Sequence, residues 1–354
     1  MSEDKKAPIF LLGVERSGTN LLRLILNEHS NIYAPSSPHI IPRMYNSEIF
    51  YGSLKNNNNF EIFVGDIIDL VKSNLGDWPD FNLTVNDAVK NINVDDRSLL
   101  SVFKYIYDTE TLNNGKTRWF CKGRKLYEYA YDLKEFFPDS IFIHMVRDPR
   151  DVCLSFMLKK SRHSLHSASL SWKNEQERSI KLYNNSKFKN NIYFMKYENL
   201  LENPSKEIKK LCDFIGESFE DQMLNFHKSS TSKMFSKKSQ VWMNLSKPIL
   251  SKNYNKYKSG LKPKQIQIIE SMNHRIMRYF DYECEFPNEK YKNEGLSYHF
   301  NVFKEDFLSL INYKIGKGDS KEEQKRGEMN VIDNRTKSRF LLENENLRSI
   351  QKRE

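Results

Sequence analysis

Residues 8–26, PIFLLGVERSGTNLLRLIL, restrict this chain more than any other stretch. The apolar run from Ile9 to Val14 predicts a buried strand, and the periodic Leu and Ile residues after Thr19 predict an amphipathic helix. Gly13 and Gly18 mark a tight loop between them. A strand that feeds a helix through such a loop aims several backbone N–H groups at one spot, where an anion is held. The Gly13-x4-Gly18 spacing matches a Walker A loop, but Thr19 and Asn20 stand where Lys and Ser/Thr belong. That lysine meets the β- and γ-phosphates, and the hydroxyl beside it holds Mg²⁺. A loop that keeps the cradle, carries Arg16 and lacks both reads as a site for a phosphate-like group without a triphosphate. The flanking strand and helix favour an anion site over an ordinary strand-to-helix turn.

IFIHMVRDPRDVCLSF, residues 141–156, is the second informative stretch. Ile141 to Val146 is short, apolar and β-branched, as in a buried parallel strand. Asp148 and Pro149 then read as the cap and first residue of a helix, with Asp151 two positions further on. Arg147 therefore stands at the C-terminal end of a strand, where open α/β sheets bind ligands. Ser155 lies two turns into the helix. An arginine fork grips a phosphate bidentately and a serine hydroxyl can complete the shell. Taken alone, Arg147 could equally pair with Asp148 or Asp151 on the surface.

Together the two stretches resemble the sulfotransferases that use 3′-phosphoadenosine 5′-phosphosulfate (PAPS). The resemblance is nearest to bacterial members and protein-tyrosine sulfotransferases. It implies that Arg16, Ser17, Gly18, Thr19 and Asn20 hold the 5′-phosphosulfate, and that Arg147 and Ser155, eight residues apart, hold the 3′-phosphate. Further matches run to about residue 285: KYENLLENP at 196–204, Trp242 followed by Lys247-Pro248, and KYKSGL at 256–261. They imply that Tyr197 contacts adenine and that Lys159, Trp242 and Lys247 contact the cofactor. Glu15 and Asn20 depart from the usual Pro and Thr, but neither change removes a backbone donor.

The catalytic groups are expected near the mouth of a second strand, Asn31 to Ala34. Sulfuryl transfer to a hydroxyl requires that the hydroxyl lose its proton, and His is the side chain whose ordinary pKa suits that near neutrality. His39, in the loop after this strand, would face the anion loop. In the tyrosine sulfotransferases a Glu at the position of Ser37 serves as base; its absence here passes the role to His39, with Glu15 as the alternative. His29, at the exit of the first helix, fits a dipole partner instead. Lys122, in RWFCKGRK, matches a lysine that meets the transferring group and stabilises charge on the leaving phosphate. A surface lysine in a basic cluster would look the same.

The fold expected is a three-layer, P-loop-like α/β domain with a parallel sheet of four or five strands. The chain has 354 residues, and the domain is expected over 1–286, with an acceptor-pocket insertion at 44–118 and a charged extension at 287–354. The NNNN run at 56–59 reads as a loop tip within that insertion. The net charge of +10 is concentrated: residues 227–264 hold ten lysines and no Asp or Glu. This segment fits a lid over a polyanionic cofactor, and its surplus lysines favour a glycan acceptor. No recognition motif accompanies the charge, so nucleic acid is not expected as a partner. Nothing approaches the roughly 20 apolar residues of a membrane span, and the charged start MSEDKKAP with its short apolar run is not expected to act as a signal peptide. Cys121, Cys153, Cys212 and Cys284 are scattered without metal spacing, which fits free thiols, a cytoplasmic location and no bound metal. The function expected is PAPS-dependent sulfation of an acceptor hydroxyl. A P-loop phosphotransferase and a non-catalytic 3′,5′-nucleotide binder remain as alternatives.

Overall fold

The computed structural model describes residues 6–74, 78, 80–158, 164–238 and 240–286. Five parallel strands form one sheet: β1 (Ile9–Leu12), β2 (Ile32–Tyr33), β3 (Arg118–Lys122), β4 (Ile141–Val146) and β5 (Ile192–Lys196), in the order β2-β3-β1-β4-β5. β1 is central and wholly buried, as expected of a strand covered on both faces. Successive side chains of a strand point to opposite faces, and the core divides accordingly. Phe10 and Leu12 of β1, with Trp119 and Phe142, pack against Phe60, Phe63 and Phe103 from the helices Asn57–Lys72 and Leu99–Asn113. Ile9 and Leu11, with Phe120 and Ile143, pack against Leu22 and Ile25 of the helix Thr19–Asn27 and Ile208 and Leu211 of the helix Pro204–Ile215. Those are the three layers. A further cluster around Trp172 joins the helices Pro149–Met157, Leu165–Tyr183 and Pro263–Tyr279.

Chain order reverses at β1: β2 and β3 lie to one side, β4 and β5 to the other. The crevice at such a switch point, at the C-terminal ends of the strands, is where open α/β sheets bind ligands. Arg16, Lys122 and Arg147 all follow or end strands at that edge.

Two local readings of the sequence change. β3 was not foreseen as a strand, because its ends are Arg118 and Lys122 and only Trp119, Phe120 and Cys121 are apolar. The charge of Arg118 is met by Glu217 at 3.1 Å and by the carbonyl of Ile215 at 2.6 Å, so the strand can be buried. The Asn run is no loop tip: Asn56 caps the helix Asn57–Lys72 by accepting the Asn59 N–H. The expected segment 44–118 consists mostly of helices, including Val85–Asn91 with its Thr84 capping box. Lys159 and the extension at 287–354 lie outside the described residues. Among the described residues no helix is long and apolar enough to cross a membrane.

Candidate active site

The anion loop is built by backbone constraints that the sequence dictates. After β1 the Ser17 N–H donates to the Val14 carbonyl, and Arg16 and Gly18 take positive φ of 77° and 85°. Gly18 has no alternative: a Cβ there would lie 2.3 Å from the ring of Tyr197. The helix Thr19–Asn27 starts at Gly18 with no side-chain cap, so its first N–H groups stay available to an anion. Ser17 is fully buried and its hydroxyl has no partner among the described residues. A buried, unsatisfied hydroxyl costs free energy unless a ligand completes it.

The second stretch joins this loop directly. Asp148 caps the helix Pro149–Met157 and ion-pairs with Arg150 at 2.7 Å, which in turn reaches Glu270 at 2.6 Å. With Asp148 engaged there, Arg147 is free to face the loop. It donates to the Arg16 carbonyl at 2.9 Å and to the Asn253 carbonyl at 3.3 Å, meets Asp151 at 3.4 Å, and lies 4.6 Å over the Tyr197 ring. Its Nε is buried without a partner among the described residues. Ser155 accepts from Arg16 Nε at 3.0 Å. Arg16, assigned with the 5′ group by resemblance, therefore touches Ser155, assigned with the 3′ group; the structure makes them neighbours. Burial, followed by the repulsion of Arg147 and opposed by Glu15 and Tyr197, pushes the Arg16 guanidinium down to about 10.

The lysine-rich segment supplies the facing wall. Trp242 and Lys247 line the same cleft as Gly18, Thr19, Asn20 and Arg147. Asn253 was not foreseen; its amide donates to the Tyr197 hydroxyl at 2.8 Å and ties the segment to the sheet edge.

His39 and Lys122 lie near enough for the charge of one to act on the other. His39 takes φ 58° at the start of the short helix Ile40–Met44. Its Nδ1 accepts the Arg124 N–H at 3.3 Å and lies 3.2 Å from the Ser37 hydroxyl. Burial, then Lys122, Arg124 and Arg43, hold its pKa well below the ordinary value for His. Lys122 ends β3 in register with Leu11 of β1. Burial, with Arg23, Arg124 and Arg16 adding to it and Glu15 opposing, pushes the Lys122 ammonium down to about 8. His29 is held elsewhere, between the Ser218 carbonyl at 2.9 Å and the Asn31 N–H at 3.0 Å, at the far end of the helix Thr19–Asn27.

One residue named from the sequence and one that escaped it complete the surroundings. Glu15 forms an ion pair with Arg124 at 3.0 Å. Glu175 is buried on the helix Leu165–Tyr183 and accepts the Gly13 N–H; burial and then Glu15 push its carboxyl up to about 8. Three residues earlier on the same helix, Trp172 donates to the Arg147 carbonyl at 3.0 Å. The helix thus clamps the ends of both β1 and β4, a role whose only sequence signal is that spacing.

A family model described as "Sulfotransferase family" matches residues 8–221. Two solved structures share the fold. The sulfotransferase domain of the Synechococcus PCC 7002 olefin synthase is 20% identical, with a TM-score of 0.52, covering 80% of this chain and 98% of that one. The sulfotransferase domain from the curacin biosynthetic pathway is 18% identical, with a TM-score of 0.54, covering 78% of this chain and 98% of that one. An uncharacterized protein of Aquifex aeolicus is 24% identical over 299 residues, 82% of this chain but 35% of its own length. The chain thus spans about a third of that relative. With a family model covering both the anion loop and the Arg147 stretch, this chain belongs to the sulfotransferase family.

Proposed function

We propose that the protein moves a sulfuryl group from PAPS to the hydroxyl of an acceptor. The observation that carries this reading is the joined pair of arginines. Arg16, held by Ser155, and Arg147, bonded to the Arg16 carbonyl, flank an uncapped helix N-terminus with no Walker lysine. The orphaned Ser17 hydroxyl and Arg147 Nε fit a bound phosphate-type group. In the reaction the acceptor oxygen bonds to sulfur as the bond from sulfur to the phosphate oxygen breaks. Residues 16–20 would hold the 5′ end, Arg147 and Ser155 the 3′-phosphate, and Tyr197, Trp242 and Lys247 the nucleoside. Lys122 would meet charge on the leaving oxygen. His39 would take the acceptor proton at Nε2, which requires that Nδ1 carry the ring proton and donate to Ser37, giving up the Arg124 N–H that it accepts in this structure. The domain proposed spans 1–286, and the free thiols Cys121, Cys153 and Cys212, all buried, support a reducing, cytoplasmic setting.

Arg147→Ala tests the donor assignment by calorimetry. Binding of adenosine 3′,5′-bisphosphate should weaken by about 1.5–3 kcal/mol, the worth of a charge-assisted hydrogen bond. Binding of 5′-AMP should change far less. Equal losses for both ligands would remove Arg147 from the 3′-phosphate.

A further inference from the structure

Arg23 is a buried cation behind the anion cleft, which it does not line. It lies one turn beyond Thr19 on the helix Thr19–Asn27, so the two share a helix face. Only 1% of it is exposed, yet its Nε and Nη2 have no partner among the described residues, and its one hydrogen bond there is to a carbonyl. Burial pushes the guanidinium down to about 9, opposed by Tyr33 and Tyr107 and by no carboxylate. Arginine is almost never fully buried without a charged partner, and an uncompensated buried charge costs stability. A purely structural part is therefore a poor account of it.

Its two contacts belong to the two halves of the site. Nη1 donates to the Ala34 carbonyl at 3.0 Å, and Asn27, one turn further along the same helix, accepts the Ala34 N–H at 3.0 Å. The anion-loop helix thus holds both backbone groups of Ala34, where the chain leaves β2 and starts towards His39. Pro35, Ser36, Ser37 and Pro38 lie between. The two prolines fix their own φ, and the Ser36 carbonyl accepts Trp78 Nε1 at 2.6 Å, so the segment is stiff enough to carry a shift at Ala34 on to His39. On the other side the guanidinium lies 4.3 Å over the ring of Phe235, in the helix Ser230–Lys238, a contact that is strongest when desolvated. The Phe235 and Trp242 rings are 5.3 Å apart, and Trp242 lines the nucleotide cleft. The charge of Arg23 is also felt at Lys122, where it helps to lower the ammonium's pKa.

We propose that Arg23 is a positioning residue that sets the His39 loop according to the state of the cleft wall. A nucleotide that fixes Trp242 fixes Phe235 behind it, Arg23 follows the ring, and Ala34 follows Arg23. The base is then placed for the acceptor only once the donor is bound. One hydrogen bond and one ring face hold the guanidinium, so it can move with Phe235; a bidentate carboxylate would lock it. The inference rests on the sulfotransferase reading for the nucleotide and for His39.

Hydrogen exchange of the full chain, with and without adenosine 3′,5′-bisphosphate, tests this. At ten times the dissociation constant of each protein, openings that forfeit the ligand are suppressed about tenfold. In the wild type, amides at 230–238 and at 34–44 should both slow by about that factor. Phe235→Leu removes the ring but leaves the Arg23 bond to Ala34 in place. In that variant the slowing at 34–44 should fall below about twofold, while amides at 19–27 stay slowed about tenfold. Arg23→Met should uncouple 34–44 in the same way; should it fail to fold, Phe235→Leu decides alone. Binding that leaves 34–44 unslowed in the wild type, or slowing there that survives Phe235→Leu, would overturn the inference. No binding of the bisphosphate at all would strike the sulfotransferase reading, and this inference with it.

Discussion

Replacing His39 with alanine is expected to lower turnover on an aliphatic hydroxyl by roughly 10²–10⁴, the usual yield of a positioned general base. Affinity for adenosine 3′,5′-bisphosphate should stay nearly unchanged, because the proton in question belongs to the acceptor. The pH dependence supplies the sharper readout. Burial and the cations Lys122, Arg124 and Arg43 lower the His39 pKa well below its ordinary value. A base works only when unprotonated, so the acid limb of kcat/KM should fall below the pH at which an ordinary His titrates, and it should vanish in the variant. A phenolic acceptor would blunt the effect, since it needs less help in losing its proton. Near-normal turnover of His39→Ala on an aliphatic alcohol would move the search to Glu15.

Lys122→Ala is expected to lower turnover by about 10²–10³, comparable to the loss of a single donor at developing negative charge. Here the limb lies on the alkaline side. With its pKa pushed down to about 8, Lys122 is charged below that pH and loses its proton above it, so kcat/KM should decline as pH rises through about 8. Lys122→Arg keeps the charge at all such pH values and should flatten that decline even if the fork fits the site less well. An alkaline limb that persists unchanged in Lys122→Arg would assign it to another group.

The parts of the molecule that sequence reading captured are those in which local pattern and tertiary role agree. β1 and β4 are short apolar runs followed by a tight loop and a capped helix, and Asp148-Pro149 starts its helix where the pattern places it. β3 escaped because tertiary partners, Glu217 and the Ile215 carbonyl, make its charged end tolerable, and no local rule foresees them. The Asn run escaped because the same residues that favour turns also cap helices. Within the site, the members of the two motifs were legible by spacing. The contacts between the motifs were not. Arg16 on Ser155, Asn253 on Tyr197 and Glu175 on Gly13 join residues from 56 to 162 positions apart, and only the crossing of the sheet brings them together.

The pairing of Arg16 with Arg147 has a consequence for handling the purified protein. The Arg16 pKa of about 10 is lower in the folded chain than in an unfolded one, so below that pH the native state holds a charge it would prefer to lose. An anion that enters the cleft relieves this, and binding to the folded chain alone raises its stability by mass action. Melting temperature should therefore depend on the buffer salt. Sulfate or phosphate should raise it above chloride at matched ionic strength, and Arg147→Ala should shrink the difference. Two preparations of one sequence would then differ in heat resistance by their counter-ions alone.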